Sequence, residues 1–173
     1  MTHNQWDLTD ILQKDKSPAE IRMLEYFAGI DSLVSQDEAL ALYRTCMMLP
    51  RSSRVLEIGS YKGGSTTAIG QAAIDNDLEV YCIDVWSDYQ RLADFSEMNM
   101  AASSGMQVLS EFIRNTAFIE DRLCVLRGDI KKFKNVLRDN AFKMVFVDGA
   151  HDYFSVVDDI ISALQVVEPG GMP

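Results

Sequence analysis

The chain after residue 50 predicts an α/β domain with a mainly parallel sheet. Three observations carry this prediction: the residues form several short apolar runs, helix-length stretches separate these runs, and runs and stretches alternate strictly. Nearly continuous apolar runs are typical of strands that helices cover on both faces. The predicted strands are 55–58, 80–83, 123–126 and 144–147.

Residues 1–50 predict a helical segment packed on the same domain. Ser17 and Glu20 form a capping-box pattern, and Ser35 and Glu38 repeat it. Apolar residues follow each box at helical spacing, so two helices are expected before the first strand.

Further helices are predicted between the strands, near 65–75, 105–116, 131–139 and 152–166. The last stretch has one apolar face, which is expected to be its buried face. Its members are Val156, Val157, Ile160, Ile161 and Leu164. Residues 87–104 show no clean period, and we interpret them as a lid.

Charge and composition exclude several classes of partner. The 173 residues include 26 acidic and 16 basic side chains, a formal net charge of −10. This charge disfavours nucleic acids and anionic membrane surfaces. The N-terminus lacks a basic and then apolar leader, no apolar run is long enough to span a bilayer, and the three cysteines lack a zinc or disulfide spacing. We expect a cytoplasmic protein.

The strongest local motif is V-L-E-I-G-S-Y-K-G-G-S at 55–65, a strand followed by a glycine-rich turn and a helix start. A dinucleotide turn would need a second glycine where Tyr61 stands. Glu57 would repel phosphates but could orient a cationic amino group, directly or through water. The motif therefore favours a cofactor that carries an amino acid; a plain connecting turn is the alternative.

Two acidic residues follow the second and third predicted strands. Asp84 could accept both hydroxyls of a ribose, with Val85 and Trp86 flanking an adenine, although a strand-terminal Asp is also a common turn former. Gly128 and Asp129 could read the edge of an adenine. Asp129 is an equally good N-cap for the next helix.

The fourth strand ends in F-V-D-G-A-H-D-Y, with Asp148 and His151 three residues apart. A carboxylate there can hold a divalent metal, and an imidazole can take a proton from a hydroxyl near neutral pH. Asp152 is expected to cap the following helix.

In order and spacing, these segments resemble the class I S-adenosylmethionine-dependent methyltransferases over roughly residues 50–173. They are most similar to metal-dependent small-molecule O-methyltransferases, both the catechol O-methyltransferase type and a sugar- and macrolide-modifying type with D-G-x-H-x-Y. The resemblance implies a Rossmann-like doubly wound sheet, S-adenosylmethionine as cofactor and Mg²⁺ as metal.

The resemblance also implies a role for each site residue. Asp148 would be a metal ligand and His151 the catalytic base. The implied contacts are Glu57 and Gly59 with the methionine part, Tyr61 and Ser65 on its carboxylate side, Asp84 with the ribose, and Gly128 and Asp129 with the adenine.

The expected reaction is methyl transfer to a hydroxyl of a small molecule. A non-catalytic or remnant S-adenosylmethionine-binding module is the first alternative. An NAD-dependent oxidoreductase is the second, and Glu57 and Tyr61 argue against its pyrophosphate turn.

In the resembling family a fifth strand follows the L-x-P-G-G segment. This sequence predicts a sheet that stops at its fourth strand and lacks the last part of the family fold. The apolar strand 144–147 would then be an unpaired edge, so we expect a homo-oligomer formed through it. We also expect cofactor binding to exceed turnover, because one carboxylate holds a metal weakly.

Overall fold

A parallel sheet forms the centre of the protein. The computed structural model describes residues 12, 14–87, 104–133, 136–137, 141–149 and 152–172. Within them the sheet has five strands in the order β3-β2-β1-β4-β5. The strands are β1 (Arg54–Ile58), β2 (Glu79–Asp84), β3 (Leu123–Arg127), β4 (Phe142–Val147) and β5 (Val167–Met172).

Helices precede and connect these strands. In the described part of the chain, α1 (Pro18–Phe27) and α2 (Gln36–Met47) come before the sheet. The connecting helices are α3 (Gly64–Asn76), α4 (Gly105–Thr116), a 3₁₀ helix at Ala117–Arg122, α5 (Ile130–Phe133) and α6 (Tyr153–Val166). None of the helices in the described ranges is both long and apolar enough to cross a membrane.

The helices cover both faces of the sheet, which confirms the doubly wound α/β prediction. One core contains buried residues of α1 to α4 together with one sheet face. The second core contains Ile130 of α5, Ala163 and Val166 of α6 and the other sheet face. The N-terminal helices therefore share a core with the strands, through residues such as Phe27 and Tyr43.

The strand order places a crevice at the carboxyl ends of β1 and β4. The chain runs outward from β1 to β3 and then returns to β4, which pairs with the other side of β1. At such a switch point the connections leave in opposite directions, and open α/β sheets bind their ligands there.

Both predicted capping boxes are present. The Ser17 side chain accepts from the backbone N–H of Glu20, whose carboxylate in turn accepts from the Ser17 N–H at 2.6 Å. Ser35 and Glu38 make the same exchange at the start of α2. Each box satisfies N–H groups that the first turn of a helix leaves unpaired.

The prediction that the sheet stops at its fourth strand is wrong. Residues of β5 pair in parallel with β4, matching Phe142 with Val167 and Met144 with Met172, with a register shift between them. Pro169 and the glycines that follow it carry no apolar run, so the pattern concealed this strand. A proline in a strand is tolerated at a sheet edge, where its missing N–H breaks no ladder.

Two helix predictions need correction. The structure describes helix over Ile130–Phe133, where the sequence predicts 131–139; residues 134–135 and 138–140 are outside the described part. On α6 the buried side chains are Ser162, Ala163 and Val166, and most of the predicted apolar face is exposed. The predicted lid falls largely on 88–103, which also lie outside the described residues.

Candidate functional site

The turn between β1 and α3 is built from left-handed residues. Gly59, Tyr61 and Gly63 have φ angles of 89°, 45° and 86°. A Cβ on Gly59 would lie 2.1 Å from the backbone oxygen of Asp148, so only glycine allows the ends of β1 and β4 to approach this closely. The Asp148 N–H also donates to the Ile58 carbonyl at 2.8 Å.

The N-terminus of α3 opens into the crevice. Its N-cap, Gly63, provides no side-chain hydrogen bond, and no acidic residue lies in the first turn. The first N–H groups of a helix have no partner within the helix and carry a partial positive charge. Gly64 and Ser65 line the crevice, so this helix end suits a carboxylate group.

Glu57 is fully buried beneath the turn. Its Oε2 accepts from the Ser60 hydroxyl at 2.7 Å and from the Thr66 hydroxyl, whereas Oε1 is buried without a hydrogen-bond partner in the described part of the chain. Burial raises the pKa of Glu57 above its ordinary value, and the hydroxyls of Ser65, Thr66 and Ser60 oppose the rise. Because Glu57 does not line the crevice, its predicted ligand contact would have to be indirect, through Ser60, which does.

Asp84 lies at the end of β2 and lines the crevice. Its Oδ2 accepts from the backbone N–H groups of Ser60 and Tyr61 at 2.9 and 2.8 Å, and Oδ1 accepts from Trp86 N–H at 2.8 Å. A carboxylate has about four lone-pair sites. A bidentate contact with two ribose hydroxyls would therefore compete with the hydrogen bonds that hold the turn.

Of the two residues predicted to flank an adenine, only Val85 is placed to do so. Val85 is exposed and lines the crevice. The Trp86 ring is fully buried against Phe112, with centroids 4.9 Å apart, and its Nε1 donates to the Tyr61 carbonyl at 2.9 Å. Trp86 thus supports the turn from the core side, and the prediction for it is wrong.

Gly128 and Asp129 follow β3 and line the same crevice. The Gly128 N–H donates to the Asp84 carbonyl at 2.8 Å, which ties the end of β3 to the end of β2. Asp129 Oδ1 accepts from the Lys131 N–H at 2.8 Å. The structure therefore shows the capping role for Asp129 and leaves it facing the crevice as well.

Asp148 lines the crevice at the end of β4, and Asp152 caps α6 through Ser155 N–H at 3.1 Å, as predicted. His151 lies outside the described residues.

Sequence reasoning missed Asp159, which lies beside Gly149. If Gly149 carried a Cβ atom, that atom would lie 2.7 Å from Oδ2 of Asp159. Burial raises the pKa of Asp159, and the charge of Asp129 adds to the rise.

A helical spacing could have identified Asp159. In a helix that starts after Asp152, positions 155 and 159 lie one turn apart on a common face. Ser155 and Asp159 both line the crevice.

The predicted cofactor residues other than Glu57 all line this crevice, which we call the cleft from here on. Its volume is about 680 Å³, within the usual range for small-molecule sites. Its apolar walls include Ile58, Ile83, Val85 and Ile130. The segment Ser32 to Val34, between α1 and α2, contributes the wall next to α3.

The described residues do not support a metal site at Asp148. They contain no group of three or more His, Cys, Asp or Glu side chains arranged to hold an ion. A divalent ion needs several oxygen ligands.

Three solved methyltransferases illustrate the fold likeness. PaMTH1 from Podospora anserina, bound to S-adenosylhomocysteine, is 19% identical with a TM-score of 0.59, covering 91% of this chain and 61% of its own. The O-methyltransferase TomG from Streptomyces achromogenes, in complex with S-adenosylmethionine, is 19% identical with a TM-score of 0.55, covering 99% and 72%. Phosphoethanolamine N-methyltransferase 2 from Haemonchus contortus, also with S-adenosylmethionine, is 19% identical with a TM-score of 0.54, covering 95% and 34%.

These likenesses show a shared fold, and the chain spans less than two thirds of the Podospora and Haemonchus proteins. No curated protein matches the sequence. A family model described as a methyltransferase domain matches residues 56–172, which is more than half of the chain. The chain therefore belongs to this methyltransferase domain family.

Proposed function

We propose that the chain binds S-adenosylmethionine in the cleft and transfers its methyl group to a hydroxyl of a small molecule. One observation carries the proposal: residues far apart in sequence line a single cleft at the switch point of the sheet. They belong to the turn between β1 and α3, here called the glycine turn, to Asp84 and to the Gly128–Asp129 pair. S-adenosylmethionine and S-adenosylhomocysteine are bound to structural neighbours with the same fold, which supports this choice of ligand.

The polar groups of the cleft suit the two ends of such a cofactor. The amino-terminal end of α3, at Gly64 and Ser65, would receive the carboxylate of the methionine part. The apolar walls at Ile83, Val85 and Ile130 would take the adenine, with Asp129 at its edge. Asp84, which also lines the cleft, would meet the ribose hydroxyls in competition with the backbone hydrogen bonds described above.

The other end of the cleft, near Asp148 and Asp159, would receive the acceptor molecule. When bound, S-adenosylmethionine supplies an electrophilic methyl group on a sulfonium. The predicted part of His151 is to accept the proton of the attacking hydroxyl, since an imidazole titrates near neutral pH. Asp159 lies beside Gly149, which is two residues before His151 in the sequence.

The choice of oxygen as acceptor atom is the finer part of the proposal. TomG, an O-methyltransferase of tomaymycin synthesis, supports it. The Haemonchus N-methyltransferase has a similar TM-score, so the fold alone does not separate oxygen from nitrogen acceptors.

The test is a methyl-transfer assay with labelled S-adenosylmethionine and matched panels of small hydroxylated and amine acceptors, run with and without Mg²⁺. Transfer to hydroxyl compounds that His151→Ala reduces by roughly 10²-fold or more, the usual share of a general base, supports the proposal. Cofactor binding without transfer to any acceptor would identify a non-catalytic module. Transfer to amines alone would replace the hydroxyl assignment.

A further inference from the structure

The outward face of α6 is more apolar than the side that packs on the sheet. Sheet-side residues such as Ser162 and Ala163 are small and buried. The outward residues are large, and between 36% and 78% of each is exposed. They are Tyr153, Phe154, Val157, Ile160, Ile161 and Leu164, here called the α6 stripe.

The α6 stripe is continuous. Its residues recur at intervals of three and four, with adjacent pairs at 153–154 and 160–161, so they share one face of the helix. From Tyr153 to Leu164 the helix rises by 1.5 Å per residue, so the stripe is about 16 Å long. The two aromatic rings at its start pack edge to face, with centroids 5.5 Å apart.

The exposed area of the stripe is large for a monomer. A buried aromatic side chain removes about 150–250 Å² from solvent, so Tyr153 and Phe154 at over three quarters exposure leave roughly 300 Å². With the four aliphatic residues the stripe presents on the order of 500 Å², close to the upper end for apolar patches on monomers. A stable interface needs about 800 Å² per partner, so the stripe could form most of one.

We propose that the α6 stripe binds the α6 stripe of a second copy of this chain, as the centre of a two-fold symmetric dimer. An antiparallel pair would set the bulky aromatic end of one stripe against Leu164 of the other, so the stripe complements itself. The antiparallel arrangement also brings the helix dipoles into favourable opposition.

Charge favours this occupant over a charged partner. No ionisable group except the Tyr153 phenol lies within the α6 stripe, and Asp158 at its margin already forms an ion pair with Lys131 of its own chain. Two copies that each carry a net charge of −10 repel at most surfaces. An uncharged face is where they can approach.

The dimer would thus form through helices on one side of the sheet. The expectation of a homo-oligomer stays a prediction, but its original reason, an unpaired β4, no longer holds because β5 pairs with that strand.

Sedimentation velocity of the 173-residue chain across micromolar concentrations tests the proposal. We expect a species of twice the chain mass of 19.4 kDa. Ile161→Glu places two like charges near the symmetric centre and should raise the dimer dissociation constant on the order of 100-fold. Tyr153→Lys, at a side chain 76% exposed, should do the same without touching the core.

The matched control is Ile74→Glu on α3, where the isoleucine is 43% exposed against 50% for Ile161. It should leave the dimer intact. A wild-type chain that is monomeric at all these concentrations would overturn the proposal, as would a dimer that Tyr153→Lys leaves unchanged. A monomer that binds a hydrophobic dye through the stripe, with binding lost in Ile161→Glu, would also overturn it and show that the face has a different occupant.

Discussion

At the scale of single residues, Asp84 combines two tasks that a sequence cannot separate. From the sequence, a carboxylate at the end of β2 can be either a ribose ligand or a turn former. The structure shows the second role, since Asp84 accepts three backbone hydrogen bonds. Trp86 is the opposite case, because a tryptophan beside a predicted adenine site proved to be a core residue. Residue types at strand ends predict where a site lies, but side-chain direction decides what each one contacts.

Asp84→Ala should therefore damage both the turn and the cleft. It would leave the N–H groups of Ser60, Tyr61 and Trp86 without their acceptor, and each buried unsatisfied group costs about 1–3 kcal/mol. We expect the free energy of unfolding in urea to fall by at least about 2 kcal/mol, in the absence of any ligand. An unchanged urea midpoint would show that these three hydrogen bonds do not hold the turn.

Glu57→Gln should change how stability depends on pH. Because burial raises the pKa of Glu57 in the folded state, the folded chain holds this proton more tightly than the unfolded chain. Its contribution to stability is present at low pH and is lost as the pH rises from the unfolded value, near 4.5, through the folded one.

Glutamine is neutral at every pH, so the melting temperature of Glu57→Gln minus that of the wild type should increase with pH across that window. The comparison cancels the other titrating groups. A difference that stays flat, or that decreases with pH, would contradict a raised pKa.

At the scale of elements, the pattern of apolar runs and capping boxes was sufficient for most of the fold. Both N-terminal helices begin at the predicted caps, and each of the four predicted strands lies within an observed one. The pattern failed for β5, whose residues are mostly proline, glycine and polar, because edge strands need no continuous apolar run. It also assigned the wrong buried face to α6, since periodicity alone does not say which face meets the sheet.

The glycine turn offers a direct test of close approach between elements. Gly59→Ala and Gly170→Ala both add a methyl group at a left-handed residue, with φ of 89° and 78°. At Gly59 the added Cβ would lie 2.1 Å from the Asp148 carbonyl oxygen, whereas at Gly170 nothing lies within 4 Å.

Gly170→Ala should cost only the conformational strain, about 1–2 kcal/mol. Gly59→Ala should cost clearly more than that, roughly 3 kcal/mol or above, because β1 and β4 must separate. Equal losses in urea unfolding would mean that the two strand ends do not pack as described.

At the scale of the whole molecule, the strand order explains why distant sequence segments form one site. The ends of four strands, β1 to β4, and the N-terminus of α3 line one cleft, because β4 returns to the side of β1 opposite β2. The sequence predicted which residues line the cleft better than it predicted what each of them contacts. It located the turn, Asp84, Gly128 and Asp148 at the cleft, but not Asp159, which its spacing of four residues from Ser155 could have indicated.

The central claim is that this cleft binds S-adenosylmethionine through its amino acid and adenosine parts together. The most direct test is isothermal titration calorimetry of the chain with S-adenosylhomocysteine. Adenosine and NADH serve as the two control ligands. We predict one site with a dissociation constant between about 1 µM and 1 mM, the range typical of enzyme ligands, and much weaker binding of both controls. Tight binding of NADH would contradict the account. So would S-adenosylhomocysteine that gives neither a heat of binding nor a rise in the melting temperature of the chain.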